Sequence, residues 1–348
     1  MTHLLSFAVN TQTIIRILLL GFLSFIISML ITPIYTTLAY RFEWWKKPRT
    51  TAVTGEAAKV FTKLHAEKHR RLIPTMAGAI FVLSVTIVTL TANLSRGETW
   101  LPLAALVGAA AIGLFDDIIN IHGSGKGVAG LPSKVKLLLV SLVALIGGLF
   151  FYFRLDVNSI HIPGVYGQWH IGWLIIPLFV VVVVSTANAV NISDGLDGLA
   201  GGLTATAFAV YVLIAVLEGR YGIAAFCMSI VGALLSYTWF NIFPARFFMG
   251  DVGSFALGTA LGVVAMLTNT VVLLPVIGII FVAEAGSSLL QIASKKLRHG
   301  KKIFRIAPIH HHFEAGGWPE TKVTMRFWIL GQVAAVLGLI LFLIGKYI

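Results

Sequence analysis

Val181-Val-Val-Val-Ser-Thr-Ala-Asn188-Ala-Val-Asn191-Ile-Ser-Asp194-Gly-Leu-Asp197-Gly-Leu-Ala-Gly-Gly202 is the stretch that decides the fold. Val181–Val184 alone would suit a strand. They end an apolar run that starts near residue 173, however, and an open strand in lipid leaves its backbone groups unpaired. The run therefore reads as a helix crossing a bilayer. Two amides and two carboxylates close it, and a second apolar run follows. Asn188, Asn191, Asp194 and Asp197 lie three residues apart, so a continuing helix would hold them on one broad, slowly drifting face. A second reading makes the segment a polar turn, with Ser193 or Asp194 as the N-cap of the next helix. Glycines at 195, 198, 201 and 202 allow the backbone to approach a ligand closely in either case.

The rest of the chain agrees with a membrane setting. Of its 348 residues, 57% are hydrophobic and 11% charged, against about 25% charged in soluble domains. Spans of roughly 20 apolar residues are expected at 14–38, 74–93, 101–117, 135–153, 173–190, 199–217, 222–240, 251–269, 272–292 and 327–346. This predicts an all-α polytopic membrane protein of about ten transmembrane helices, in a single domain over 1–348. Ile14–Tyr40 reads as a retained helix rather than a removed signal. The lone Cys227 defines no redox compartment.

Charge sets the orientation. With ten spans, 21 of the 26 lysines and arginines fall in loops on one side, and only Arg16, Arg96, Arg154, Arg220 and Lys346 on the other. That basic side is expected to be cytoplasmic and both termini to face outward. The net charge of +12 thus reflects topology, and no nucleic-acid partner is expected. Arg154–His170, with alternating residues around Pro163-Gly164, becomes an outer loop that can form a hairpin.

The acids give an independent asymmetry. Asp116, Asp117, Asp194, Asp197 and Asp251 fall at the cytoplasmic ends of spans, and only Asp156 does not. A transporter more often holds its acids near the midplane, so a transporter or flippase is the remote alternative. Acids gathered at one interface point to chemistry at the inner membrane surface.

Four further segments carry that chemistry. Asp116 and Asp117 close Gly113-Leu-Phe-Asp-Asp117; paired carboxylates repel, which raises one pKa or recruits a cation. Asp251, after a glycine, is expected at a helix N-terminus, where it can cap the helix or join Asp116 and Asp117 in a hard oxygen site suited to Mg²⁺. Phe247 and Phe248 beside it can anchor at the interface, or one can stack on a base. His310, His311 and His312 suit phosphate binding or acid–base work better than zinc, since no cysteines accompany them. The segment before the second span, with Arg70 and Thr75, grips phosphate or simply carries positive-inside charge, and Lys134 and Lys136 have the same two readings. Glu284, costly within a span, and Gln291 share a face as a packed polar pair or a groove lining.

Together these segments resemble the bacterial phospho-N-acetylmuramoyl-pentapeptide transferases, a branch of the polyprenyl-phosphate N-acetylhexosamine-1-phosphate transferases. The resemblance runs through Pro74-Thr-Met76, Phe115-Asp-Asp117, Asn188–Ala200, Phe248-Met-Gly-Asp-Val-Gly-Ser254, Ala307-Pro-Ile-His-His-His-Phe-Glu314, Gly317-Trp318 and Arg326-Phe-Trp328. The histidine segment and the residues after it mark the muramoyl-pentapeptide branch. The resemblance implies a ten-helix fold in the bacterial cytoplasmic membrane, often a homodimer, with its site facing the cytoplasm. It implies Mg²⁺-dependent transfer from UDP-MurNAc-pentapeptide to undecaprenyl phosphate, giving lipid I and UMP. The nearest alternative is the sister activity that uses a UDP-N-acetylglucosamine donor.

Residue by residue, the resemblance makes Asp251 the metal ligand, with Asn191 and Asp194 facing metal and phosphates. Asp116 and Asp117 match the essential pair, Asp116 as candidate base. Asn191, Asp194, Asp197 and the Gly195-Leu196 backbone match the nucleoside-side pocket, Asn188 leads into it, and Phe248 matches an aromatic that can stack on uracil. Asn241, Ser254, Gln291, His310 and His311 match further active-site positions, and His312 completes the triplet. Lys136 matches a retained lysine. Four positions depart from the pattern, and among them Arg70 replaces a usual Lys, Ile73 a Thr and Ala77 a Gly. Asn120 stands where a Lys often follows the double Asp, with Lys126 or Lys134 as candidate substitutes. Arg keeps the charge of Lys but not its geometry, so these departures bear on the phosphate grip.

Overall fold

A computed structural model describes residues 10–46, 72–123 and 130–347. Among these residues are twelve helices, in chain order α1 (Thr11–Arg41), α2 (Gly78–Ala92), α3 (Trp100–His122), α4 (Ser133–Phe153), α5 (Ile175–Ser193), α6 (Leu199–Leu217), α7 (Tyr221–Asn241), α8 (Gly250–Leu267), α9 (Leu274–Ile277), α10 (Ile279–Leu297), α11 (Ile309–Glu314) and α12 (Glu320–Tyr347). Eight of them, counting the short 3₁₀ turn before α5 with it, are long and apolar enough to cross a membrane. The expected second span is a helix of 15 residues, and the expected ninth is broken at Gly278 into α9 and α10. The expected hairpin forms: β1 (Ser159–His161) pairs antiparallel with β2 (Gln168–His170), Ile160 opposite Trp169.

Burial sorts the helices into layers. The most apolar 18-residue windows of α1, α4 and α12 are each 28% buried, whereas that of α8 is 94% buried. Helix α8 is therefore the axis, and the other three form the lipid-facing rim. Against α8 pack α3 and α5. In lipid, helices gain little from the hydrophobic effect and rely on close packing, which small residues permit. A Cβ at Gly113 would overlap the Asp251 carbonyl, and one at Gly258 would sit 2.6 Å from the Ala187 Cα. Two backbone-to-backbone contacts thus fix α3 and α5 on α8.

The deciding stretch departs from one expectation. Helix α5 stops at Ser193, so only Asn188 and Asn191 are helical, and Asp194 and Asp197 lie in the turn. Neither Ser193 nor Asp194 caps the next helix; Gly198, at φ 77°, begins α6 without a side-chain cap. The left-handed turn reverses the chain within five residues, a geometry that glycine adopts without strain.

Candidate active site

Asp116 and Asp117 project from α3, which runs five residues beyond them. A carboxylate near the C-terminal end of its own helix opposes the macrodipole. For Asp117 the compensation comes from another helix: its Oδ2 accepts the Val252 amide at the start of α8 at 3.1 Å. The first amides of a helix lack internal partners, so the buried acid and the helix start satisfy each other. Asp116 Oδ1 accepts the Leu131 amide at 2.5 Å.

Asp251 lies in the first turn of α8, as expected from the glycine before it. Gly250 has φ 72°, and a Cβ there would meet Thr75 Oγ1 at 3.0 Å and overlap Asp117. Ligand atoms from Asp116, Asp117 and Asp251 all lie within 4.8 Å of one another. Two ammonium groups sit among them. Lys136 Nζ is 3.2 Å from Asp116 Oδ2 and 2.9 Å from Asp251 Oδ2. Lys46 Nζ is 2.7 Å from Asp117 Oδ1 and 3.7 Å from Asp251 Oδ1. Three carboxylates against two ammoniums leave one net negative charge, and the cations already drawn between the oxygens mark the place as one that holds positive charge. A hard divalent cation with few protein ligands fits this donor set. Asn191 borders it, donating to Ser254 Oγ at 2.8 Å and to Asp251 Oδ1 at 3.3 Å.

The turn after α5 forms a second wall. Asp194 is half-buried; desolvation pushes its carboxyl up to about 7, Lys46 opposes, and Asp251, Asp117 and Asp197 add to the rise. Gly195 faces His310, whose Nε2 a Cβ would strike. His310 Nδ1 is held by Glu284 Oε2 at 2.7 Å, both side chains fully buried. The costly acid of α10 is thereby explained: it fixes a histidine brought over by α11. His311 Nδ1 pairs with Glu314 Oε2 at 2.6 Å. Burial, and then His310, hold the His311 imidazole below the ordinary histidine range, with Glu314 pulling the other way.

Several expected site residues turn their polar atoms to the protein itself. Asp197 Oδ2 accepts the Ala245 amide at 2.9 Å. Asn241 accepts the Gly198 amide at 3.0 Å and donates to the Phe247 carbonyl at 2.8 Å. These two residues join the 194–198 turn to the 242–249 loop and so shape the wall. Gln291 accepts the Ile303 and Phe304 amides and donates to the Phe304 carbonyl, three bonds of 2.9–3.0 Å that order the loop before α11. The pairing of Glu284 with Gln291 entertained from the sequence does not form. His312 Nδ1 accepts the Arg305 amide at 3.1 Å, away from the acids. Asn188 donates to the Val184 carbonyl of its own helix. Leu196 is buried, Phe247 is fully covered, and Phe248 is half-buried, with its backbone bonded to Pro74 and Ala77 on either side of Thr75. Arg70 and Lys126 lie outside the described residues.

Lys46 had no signal beyond ordinary positive-inside charge. Tyr35, whose hydroxyl donates to the Thr75 carbonyl at 2.5 Å, and Glu320, which accepts the Asp197 amide at 2.6 Å, are equally invisible as site residues in the sequence.

The chain matches the profile of glycosyl transferase family 4 over residues 99–269. It is 42% identical over 286 residues to a phospho-N-acetylmuramoyl-pentapeptide-transferase of Dichelobacter nodosus, covering 76% of this chain and 79% of the relative. It is 38% identical over 350 residues to that of Chloroflexus aurantiacus, covering 97% and 92%. With the protein of the same name from Geobacillus thermodenitrificans it shares 37% over 322 residues, covering 91% and 94%.

Proposed function

The chain belongs to the phospho-N-acetylmuramoyl-pentapeptide-transferase family, and from that premise we propose how its acidic cluster performs the transfer. The enzyme moves phospho-MurNAc-pentapeptide onto a lipid carrier in peptidoglycan synthesis. We take the donor as UDP-MurNAc-pentapeptide and the acceptor as undecaprenyl phosphate. An oxygen of the lipid phosphate attacks the sugar-bearing phosphorus of the donor, the bond to the UMP oxygen breaks, and UMP leaves as lipid I forms. Such a reaction needs mainly positioning and charge neutralisation.

The observation that carries this reading is the convergence of Asp116, Asp117 and Asp251 within 4.8 Å, with Lys46 and Lys136 among them. Asp251, with Asn191 beside it, would hold Mg²⁺. That ion supplies neutralisation of the donor diphosphate. Lys136, tied to Asp116 and Asp251 at once, places positive charge where phosphate oxygens gather. Asp116 orients the attacking lipid phosphate; an acceptor that is already ionised requires no strong base. His310, locked by Glu284 and seated against Gly195, presents its Nε2 towards the donor-side turn. Phe248 offers a half-buried ring on which uracil stacks. The site faces the cytoplasm, both termini lie outside, and the protein acts as a homodimer in the bacterial inner membrane. The positive-inside count and the shared position of five of the six aspartates support that orientation.

UMP release is the test. Purified protein is supplied with undecaprenyl phosphate, Mg²⁺ and either UDP-MurNAc-pentapeptide or UDP-N-acetylglucosamine. Release with the pentapeptide donor alone is expected. Release only with the N-acetylglucosamine donor would overturn the substrate assignment.

A further inference from the structure

Lys46 and Lys136 both touch the acidic cluster, but in different ways. Lys136 rises from the first turn of α4, and its ammonium bridges the Oδ2 atoms of Asp116 and Asp251. Lys46 comes from the segment after α1 and reaches the other face of the cluster, at the Oδ1 atoms of Asp117 and Asp251. Its side chain is 33% exposed, whereas Asp117 is fully buried. The backbone beneath it is fixed, since the Trp44 carbonyl accepts the Thr75 amide at 2.7 Å and the Trp44 amide donates to Ala39. Lys46 is therefore a flexible four-carbon arm on a rigid base, with its head at the mouth of the site.

An ammonium 2.7 Å from Asp117 Oδ1 and 3.7 Å from Asp251 Oδ1 takes one acceptor site of the Asp117 oxygen and repels a divalent cation drawn to the same carboxylates. We propose that Lys46 is a positioning residue that competes with the divalent cation for Asp117 and Asp251 and, once displaced, turns to the donor diphosphate, so that cation and donor bind cooperatively. The proposal rests on the metal reading above and extends it. Displacing the ammonium weakens cation binding while no donor is present. Donor binding gives the displaced ammonium new anionic partners and restores the lost interaction. By linkage the coupling is reciprocal: the cation strengthens donor binding by the same factor.

The test uses Mn²⁺ as the probe, with its binding to the full-length protein in detergent read by electron paramagnetic resonance, with and without UDP-MurNAc-pentapeptide. Measurements in 0.5 M KCl, where the screening length is roughly 4 Å, suppress long-range charge effects. Lys46→Met is expected to bind Mn²⁺ about tenfold tighter than wild type without donor, the worth of one charge-assisted contact. The donor-induced tightening should shrink by a similar factor. Lys46→Arg, which keeps the charge, should stay near wild type. Unchanged or weaker Mn²⁺ binding in Lys46→Met, with coupling intact, overturns the proposal and leaves the metal reading standing. Mn²⁺ binding that is the same in wild type and Asp251→Asn overturns the metal reading, and the proposal with it.

Discussion

Asp251→Asn isolates charge from shape. The amide has the volume of the carboxylate and keeps one oxygen towards Lys136, which also retains Asp116 at 3.2 Å. Only the net negative charge of the cluster is removed, taking three carboxylates and two ammoniums to neutrality. A unit pair at 4 Å is worth about 4 kcal/mol at an effective dielectric of 20, and a divalent ion doubles this to about 8 kcal/mol. Water entering this partly open site and the remaining amide oxygen return roughly half. The net loss of roughly 4 kcal/mol corresponds to a thousandfold fall in turnover, since about 1.4 kcal/mol is tenfold. The assay is UMP release from the pentapeptide donor across a Mg²⁺ titration, beside a thermal unfolding curve in the same detergent. The variant should unfold within a few degrees of wild type and need more Mg²⁺. Turnover within tenfold of wild type at an unchanged Mg²⁺ midpoint would refute the reasoning.

Gly113→Ala should be more damaging than its size suggests, because the added methyl overlaps the Asp251 carbonyl. Overpacking of this kind costs about 1–3 kcal/mol, and the parting of α3 from α8 moves Asp116 and Asp117 off Asp251; a lower melting temperature and at least a hundredfold loss of UMP release are expected. His311, held neutral by burial, titrates below its unfolded value of about 6.5. Between the two values the unfolded chain binds more protons, so stability should be full above about pH 6.5 and fall as pH drops through it; melting curves at pH 7.5 and 5.5 should show this difference, and His311→Gln should reduce it. Gln291→Ala removes three bonds to Ile303 and Phe304, at about 1 kcal/mol each; limited proteolysis should cut the 298–308 loop faster, with transfer reduced through the misplaced α11 histidines.

Eight of the ten expected spans were legible because each is a long apolar run, and the meeting of Asp116, Asp117 and Asp251 was legible because five of six aspartates fall on one side of the topology drawn from the sequence. Asp251 at the start of α8 could be read from its glycine. What escaped the sequence is direction. Asp197, Asn241, Gln291 and His312 are polar residues in the right segments, yet their bonds go to backbone amides of neighbouring loops. No periodicity within one segment reports a partner in another loop, whether 7 residues away, as for His312, or 48, as for Asp197. Lys46 was hidden for the opposite reason: a lysine after a span is what topology alone requires. Asp117 lies near the C-terminus of α3, and the amide of Val252 at the start of another helix balances it.

The clamp between α3, α5 and α8 has a bearing on the bilayer. A helix that does not match the hydrocarbon thickness accommodates by tilting. Gly113 on the Asp251 carbonyl and Gly258 on Ala187 leave no side-chain layer between the axes to shear. Tilt must therefore be taken up by the rim helices α1, α4 and α12, while the inner three move as one body. The spacing of the three clustered aspartates is set by backbone resting on backbone, and so is insulated from the thickness of the membrane around it.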